Sequence, residues 1–311
     1  MKRKIFKIIS IVLVLSLVLV GCAKKNKTEE TKTTTDKKIH IVTTTTMLKD
    51  MIEKVGGDNV EVEGLMGEGV DPHLYQATAS DVEKLKKADV VVYQGLHLEG
   101  KMGQVFAELK DKKVIEAGKG VPTNEVKKEE DGNPDPHIWF DVKIWEKVGN
   151  YIAEELGKFY PNKKDNFTKN FADYKVEMEN LDKYIKEKAD KIPKPQRALV
   201  TAHDAFSYFA NRYNFDVLAI QGVSTETEAT TADIEKLAKQ IVDRKIKAIF
   251  VESSVPEKTI KALKESVKAK GHNIEIGGEL YSDSLGDKEH NSDGYINTCK
   301  ANIDTIVKAL L

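Results

Sequence analysis

Two α/β lobes with parallel-type sheets, bridged by a single long α-helix and facing each other across a cleft, are the architecture this sequence predicts. Two observations carry the prediction. Short β-rich runs alternate with amphipathic helical stretches through residues 39–161 and again through 193–311, the pattern of parallel βαβ units. Between them, residues 162–191 hold no Pro or Gly, and Phe167, Phe171, Tyr174, Met178, Leu181 and Ile185 recur at steps of three and four residues. That spacing makes one apolar stripe on one helix of roughly 45 Å at 1.5 Å per residue, longer than a small lobe is wide. Ligands of open α/β sheets bind beyond the carboxyl ends of the strands, so the site is expected in the interlobe cleft.

The chain opens with Lys2, Arg3, Lys4 and Lys7, then an apolar run over residues 8–20, then Gly21-Cys22. A basic start, a short apolar stretch and a small residue before the cut mark residues 1–21 as a secretory signal, too short in its apolar part for a membrane span. Leu19-Val20-Gly21-Cys22 has the pattern of a bacterial lipobox. Cys22 is therefore expected to carry lipid and to anchor the mature protein to the outer face of the cell membrane; the alternative is an ordinary signal peptide with an incidental Cys. Residues 22–38 are Lys, Thr, Glu and Asn with almost nothing apolar, which reads as a flexible tether.

The first lobe, residues 39–161, reads as strands at Ile39–Thr43, 60–66, Val90–Tyr93 and 114–116, with helices at 47–55 and 80–87. Ser80 and Glu83 have capping-box spacing at the start of the second helix. The bridging helix, 162–192, is stopped by Pro193 and Pro195. The second lobe, 193–311, reads as strands at 198–201, 217–220, 248–251 and 274–276, with helices at 205–213, 232–244, 257–270 and 295–311.

Loss of residues 1–21 removes four cations and no acid, moving the formal charge from −1 to −5. A mildly acidic protein is not built for nucleic acid. Cys22 and Cys299 are the only cysteines. With Cys22 acylated no intramolecular disulfide can form, and Cys299 reads as a buried small apolar residue on the last helix.

Three of the seven His stand in settings suited to chemistry: His73 in Val70-Asp71-Pro72-His73, His137 in Pro134-Asp135-Pro136-His137, and His203 in Thr201-Ala202-His203-Asp204. Pro fixes its own φ and keeps the preceding residue extended, so each following imidazole sits on a stiff support, which suits a metal ligand. Asp71 and Asp135 are placed to accept from the imidazoles and fix their tautomers. A lone His more often satisfies a core polar group, but three in matching settings on two lobes favour a shared ion. Asp283, in Tyr281-Ser282-Asp283-Ser284, is a candidate fourth ligand, though Asp is equally common in turns and caps. Imidazole and carboxylate suit zinc, manganese and iron, and the absence of thiolate argues against copper(I). His97, in Gly95-Leu96-His97-Leu98-Glu99, lacks the Pro support and reads as a neighbour of the site, while His40, His272 and His290 have blander settings in a strand, a helix end and a polar loop.

These motifs resemble the zinc/manganese solute-binding lipoproteins of ABC importers, the TroA-like metal-binding family of cluster A-I. The resemblance runs from the lipobox to the last helix, through Val42-Thr43-Thr44-Thr45-Thr46-Met47-Leu48, Gly69-Val70-Asp71-Pro72-His73, Gly95-Leu96-His97-Leu98-Glu99, Asp135-Pro136-His137-Ile138-Trp139, His203-Asp204-Ala205-Phe206, Gly222-Val223-Ser224-Thr225-Glu226-Thr227-Glu228 and Tyr281-Ser282-Asp283. It implies metal ligands at His73, His137, His203 and Asp283, limited lobe motion on release, and docking of a monomer to a membrane permease driven by a cytoplasmic ATPase. Zinc-dedicated members usually carry a His-rich acidic loop before the second ligand, whereas residues 121–133 contain no His. Manganese is therefore favoured as the transported ligand, zinc follows, and iron(II) is third.

Two other classes use similar parts. A secreted zinc metallohydrolase needs an open coordination position and a general base, and the chain has neither a His-Glu-x-x-His nor a His-x-His-x-Asp-His cluster, so no enzyme is expected. A binding protein for an iron chelate or cobalamin needs a wide cleft with aromatic or Arg contacts, and beyond the signal only Arg197, Arg212 and Arg244 exist. With three imidazoles of ordinary pKa, about 6.5, metal affinity is expected to fall below that pH with about three protons per ion and to flatten above it.

Overall fold

The computed structural model describes residues 37–129 and 132–311; the predicted signal peptide, Cys22 and the tether up to residue 36 lie outside them. In the first lobe β1 (Ile39–Thr43), β2 (Val60–Gly64), β3 (Val90–Tyr93) and β4 (Lys113–Glu116) form a parallel sheet in the order β2-β1-β3-β4. Both of its faces are covered, which is why its strands are apolar runs rather than alternating ones. Ile41, Val90 and Val92 pack with Met47, Leu48 and Met51 of α1 (Thr46–Gly56), while Val42 and Val91 face Leu85 of α2 (Ala79–Lys87) and Met102 just before α3 (Gly103–Ala107).

The cap of α2 sits two residues earlier than Ser80 and Glu83 suggest. Thr78 accepts from the Asp81 amide, and Asp81 accepts from the Thr78 amide and hydroxyl. Tyr75 decides the register: its hydroxyl also donates to Asp81, at 2.8 Å, and Asp81 is buried while Glu83 is exposed. Strand alternation alone places no helix between residues 141 and 161, yet α4 (Val142–Phe159) fills that span, capped by Asp141 accepting from the Lys143 and Ile144 amides. Its Gly149 lets it press against α1 and the bridging helix, since a Cβ there would stand 2.4 Å from the Phe171 ring and 2.7 Å from Met51 Sδ.

The bridging helix is α5 (Lys164–Ala189), 26 residues and ~39 Å long, entered through a 3-10 turn at Pro161–Lys163. Phe167, Phe171, Tyr174, Met178, Leu181 and Ile185 are all buried along its length. The second lobe follows with β5 (Ala198–His203), α6 (Ser207–Tyr213), β6 (Asp216–Gln221), α7 (Thr231–Arg244), β7 (Ala248–Glu252), α8 (Lys258–Ala269), β8 (Glu275–Leu280) and α9 (Gly294–Leu310). β5 pairs in parallel with β6, β7 in parallel with β8, and β5 lies beside β7. β8 runs on through Gly277 and Gly278, past the strand expected at 274–276; Gly277 lets α9 approach, since a Cβ would meet Ala309 Cβ at 2.5 Å.

Polar clamps hold the bridge on both sides of its midpoint. Tyr174 donates to Asp50 of α1 at 2.7 Å, and Arg212 of α6 grips Asp182 through two bonds of 2.6 Å. A bidentate guanidinium–carboxylate pair fixes orientation as well as distance. Cys299 is buried on α9, and burial pushes its thiol up to about 12.

Candidate metal centre

Four side chains from distant parts of the sequence converge at the carboxyl ends of the strands. His73 follows β2, His137 precedes the 3-10 turn Ile138–Phe140, His203 is the last residue of β5, and Asp283 lies three residues beyond β8. One donor atom from each falls within 4.8 Å of the others. Asp283 Oδ1 is 3.3 Å from His137 Nε2, and its Oδ2 is 3.2 Å from His203 Nε2 and 3.9 Å from His73 Nε2; the His73 and His137 Nε2 atoms are 3.4 Å apart. A tetrahedral ion with bonds of 2.0–2.1 Å has donors about 3.3 Å apart, close to this spacing. All four side chains are buried. Among the described residues His203 Nε2 and both Asp283 oxygens find no hydrogen-bond partner, an arrangement that costs free energy unless a cation sits between them.

The supports are built from the same turn twice. Asp71 Oδ1 accepts from the His73 amide and Asp135 Oδ1 from the His137 amide, each at 2.9 Å, so the Asp of each Asp-Pro-His stiffens the backbone two residues on. Asp135 Oδ1 also meets the His137 ring at Nδ1, 2.8 Å away, which leaves Nε2 to face the centre. Asp71 does not reach its imidazole; its second oxygen accepts from the Thr225 hydroxyl instead. The His203 ring is braced by Glu252, a residue the motifs do not single out. Glu252 Oε2 stands 2.6 Å from His203 Nδ1, off the line of an ideal hydrogen bond, and Oε1 accepts from the Ala202 and His203 amides at 2.7 and 3.0 Å. The available signal is an acidic residue closing the buried apolar strand Ala248–Glu252.

The family profile described as zinc-uptake complex component A, periplasmic, matches residues 41–309. The chain belongs to that family. It is 45% identical over 276 residues to the zinc-binding protein TroA of Treponema pallidum, covering 88% of this chain and 90% of the relative. With the manganese-binding lipoprotein MntA of Bacillus subtilis it shares 41% over 301 residues, 96% of this chain and 97% of the other. The solved structure of the Treponema pallidum periplasmic zinc-binding protein TroA superposes with a TM-score of 0.86 at 45% identity, covering 88% of this chain and 99% of that one.

The other His stay outside the cluster. His97 is exposed at the rim, in a run Gly95, Leu96, His97 with φ of 76°, 54° and 65°. That loop is tied down by buried Glu99, which accepts from the Gln94 and Gly95 amides and the Thr44 hydroxyl. His40 lies 3.6 Å from Glu63, His272 meets the Ile246 carbonyl, and exposed His290 pairs with Asp287.

The three imidazoles of the cluster differ electrostatically. Burial pushes His73 down to about 3, against the pull of Asp283. Burial also lowers His137, but Asp135 and Asp283 outweigh it and raise this imidazole to about 9. At His203 burial is likewise overcome, by Glu252 and Asp283, and the shift is well upward. Burial raises Asp283, yet His203 and His137 hold it well below the usual carboxylate range. In the metal-free site these shifts favour a proton on His137 and on His203 and disfavour one on His73 and on Asp283. An ion must displace the first two, so the bound state holds fewer protons and rising pH favours binding. Affinity is expected to keep climbing from pH 6.5 towards 9, because His137 still gives up a proton to the ion across that range. Competition titrations of manganese across that range check it, and a plateau above pH 7 would contradict it.

Proposed function

We infer that this chain is the extracytoplasmic, lipid-anchored substrate-binding component of an ABC importer. It captures one divalent transition-metal ion between His73, His137, His203 and Asp283 and hands it to a membrane permease powered by a cytoplasmic ATPase. The observation that carries this reading is the buried cluster of three imidazoles and one carboxylate, in which His203 Nε2 and both Asp283 oxygens have no hydrogen-bond partner among the described residues. The working parts are a signal at 1–21, a tether at 22–38, lobes at 39–161 and 193–311, and the helix at 162–192 between them. The protein acts as a monomer.

Manganese is the favoured ion and zinc follows. The segment before His137 lacks a His-rich loop, and nitrogen–oxygen sites of this kind accept both. Zinc binds tightly in vitro whichever ion the cell loads, because affinity follows the Irving–Williams order. A hydrolase would need a free coordination position beside a general base, whereas the four donors within 4.8 Å of one another here suffice to close a tetrahedral site. A chelate carrier would need cationic groups in the cleft. Arg197 instead bonds the Ile192 and Tyr213 carbonyls, Arg212 holds Asp182, and Arg244 pairs with Asp216.

Calorimetric titration with free manganese and zinc, beside an iron chelate and cobalamin, tests the reading. One free ion per chain is expected; binding of a chelate with no uptake of free metal would overturn it. Among the described residues no helix is long and apolar enough to cross a membrane. Cys22→Ala is expected to release the protein from washed membranes into the medium, because the lipid is its proposed anchor, and retention through detergent-free washing would remove the anchor assignment.

A further inference from the structure

We propose that Thr225, acting through Asp71, is the positioning residue that holds His73 against the bound metal and sets the rate at which the ion leaves. This rests on the metal-capture reading of the site. Of the four candidate ligands, His73 alone lines the cleft of about 650 Å³ that opens beside the centre, together with Gly222, Val223, Ser224 and Glu226. The other ligands are clamped within the protein. Asp135 braces the His137 ring, Glu252 braces His203, and the Asp283 loop is fixed where Trp139 donates to the Ser282 carbonyl at 3.1 Å and Ser254 meets the Ser282 hydroxyl at 2.8 Å. The ion's way out therefore runs past His73.

His73 is held through its backbone, by Asp71 Oδ1. The other oxygen of the same carboxylate accepts from the Thr225 hydroxyl at 2.6 Å, from the loop after β6 in the second lobe. Thr225 is buried, whereas the neighbouring rim pair, Lys101 with Glu226 at 3.2 Å, is about 40% exposed on both sides. An exposed ion pair contributes little, and a short hydrogen bond from a buried hydroxyl to a half-buried carboxylate contributes more, so Thr225 is the principal tie at this edge. A further bond, Gly69 amide to Ser284 Oγ at 2.8 Å, joins the His73 loop to the residue after Asp283 and keeps the loop in register. When Thr225 lets go, Asp71 loses its second anchor and His73 is free to swing towards the mouth.

The test is dissociation of manganese from the loaded full-length lipoprotein, followed by stopped-flow chase with excess chelator, for the wild type, Thr225→Val and Thr225→Ser. Val keeps the shape without the donor; Ser keeps the donor. Release from Thr225→Val is expected to be about tenfold faster or more, from the loss of one hydrogen bond to a charged group, with Thr225→Ser close to the wild type. Asp71→Ala, which removes the acceptor of the Thr225 hydroxyl together with that of the His73 amide, is expected to release at least as fast as Thr225→Val and serves if that variant does not fold. Release from Thr225→Val or Asp71→Ala within twofold of the wild type overturns the proposal, as does equally fast release from Thr225→Ser. Tight wild-type binding with unaltered release sinks this inference alone; a wild type that takes up neither manganese nor zinc sinks the metal-capture reading with it.

Discussion

His137→Ala is expected to weaken metal binding roughly a hundredfold or more, while His97→Ala leaves it within about twofold. A closed site of four protein ligands binds zinc with about 10–16 kcal/mol at neutral pH, or roughly 3 kcal/mol per ligand, and about 1.4 kcal/mol is a factor of ten. His137 is fully buried with Nε2 aimed at Asp283, and its loss also takes the ring from Asp135 and leaves that carboxylate only the backbone amide at 137. His97 lies exposed at the rim, outside the cluster. Competition titration of both variants against a chelating dye decides between them. Equal losses at the two positions would place His97 on the ion and contradict the geometry.

Glu252→Ala is expected to damage folding and metal binding together, and Glu252→Gln to separate them. The carboxylate serves two buried amides and the His203 ring. Truncation to Ala leaves the Ala202 and His203 amides unpaired, at about 1–3 kcal/mol each, which should lower the melting temperature by roughly 5–15 °C. Gln retains an amide oxygen for the backbone donors but turns a nitrogen to the imidazole. It should therefore melt near the wild type while losing about 10–100-fold in affinity, the usual cost of removing the partner of a ligating His. Calorimetric melting of metal-free protein and metal titration of both variants give the readouts. An unchanged melt for Ala, or unchanged affinity for Gln, would remove Glu252 from this role.

The bridging helix is legible because its signal is local: six apolar side chains at helical spacing, uninterrupted by Gly or Pro, all end buried. The Asp-Pro-His turns are legible for the same reason, since the Asp, the Pro and the amide it serves lie within three residues. What escapes a local reading is whatever depends on distant packing. Glu252 reaches His203 across 49 residues of sequence because β7 lies beside β5, and nothing in Ala248–Glu252 announces that neighbour. Asp71 and Asp135 share a motif but not a job: the Asp135 side chain turns to its own ring, while Asp71 is drawn away by Thr225, 154 residues distant. The α2 cap has the same character. Thr78 with Asp81 and Ser80 with Glu83 both fit the capping spacing, and the hydroxyl of Tyr75 selects the first.

The measurement closest to the central claim is the anomalous difference map of crystals grown from metal-loaded protein, recorded at the absorption edge of the bound ion. One strong peak is expected within about 2.0–2.3 Å of the Nε2 atoms of His73, His137 and His203 and of an Asp283 oxygen. A peak elsewhere, or an ion at this position held by water in place of two or more of these side chains, would contradict the assignment.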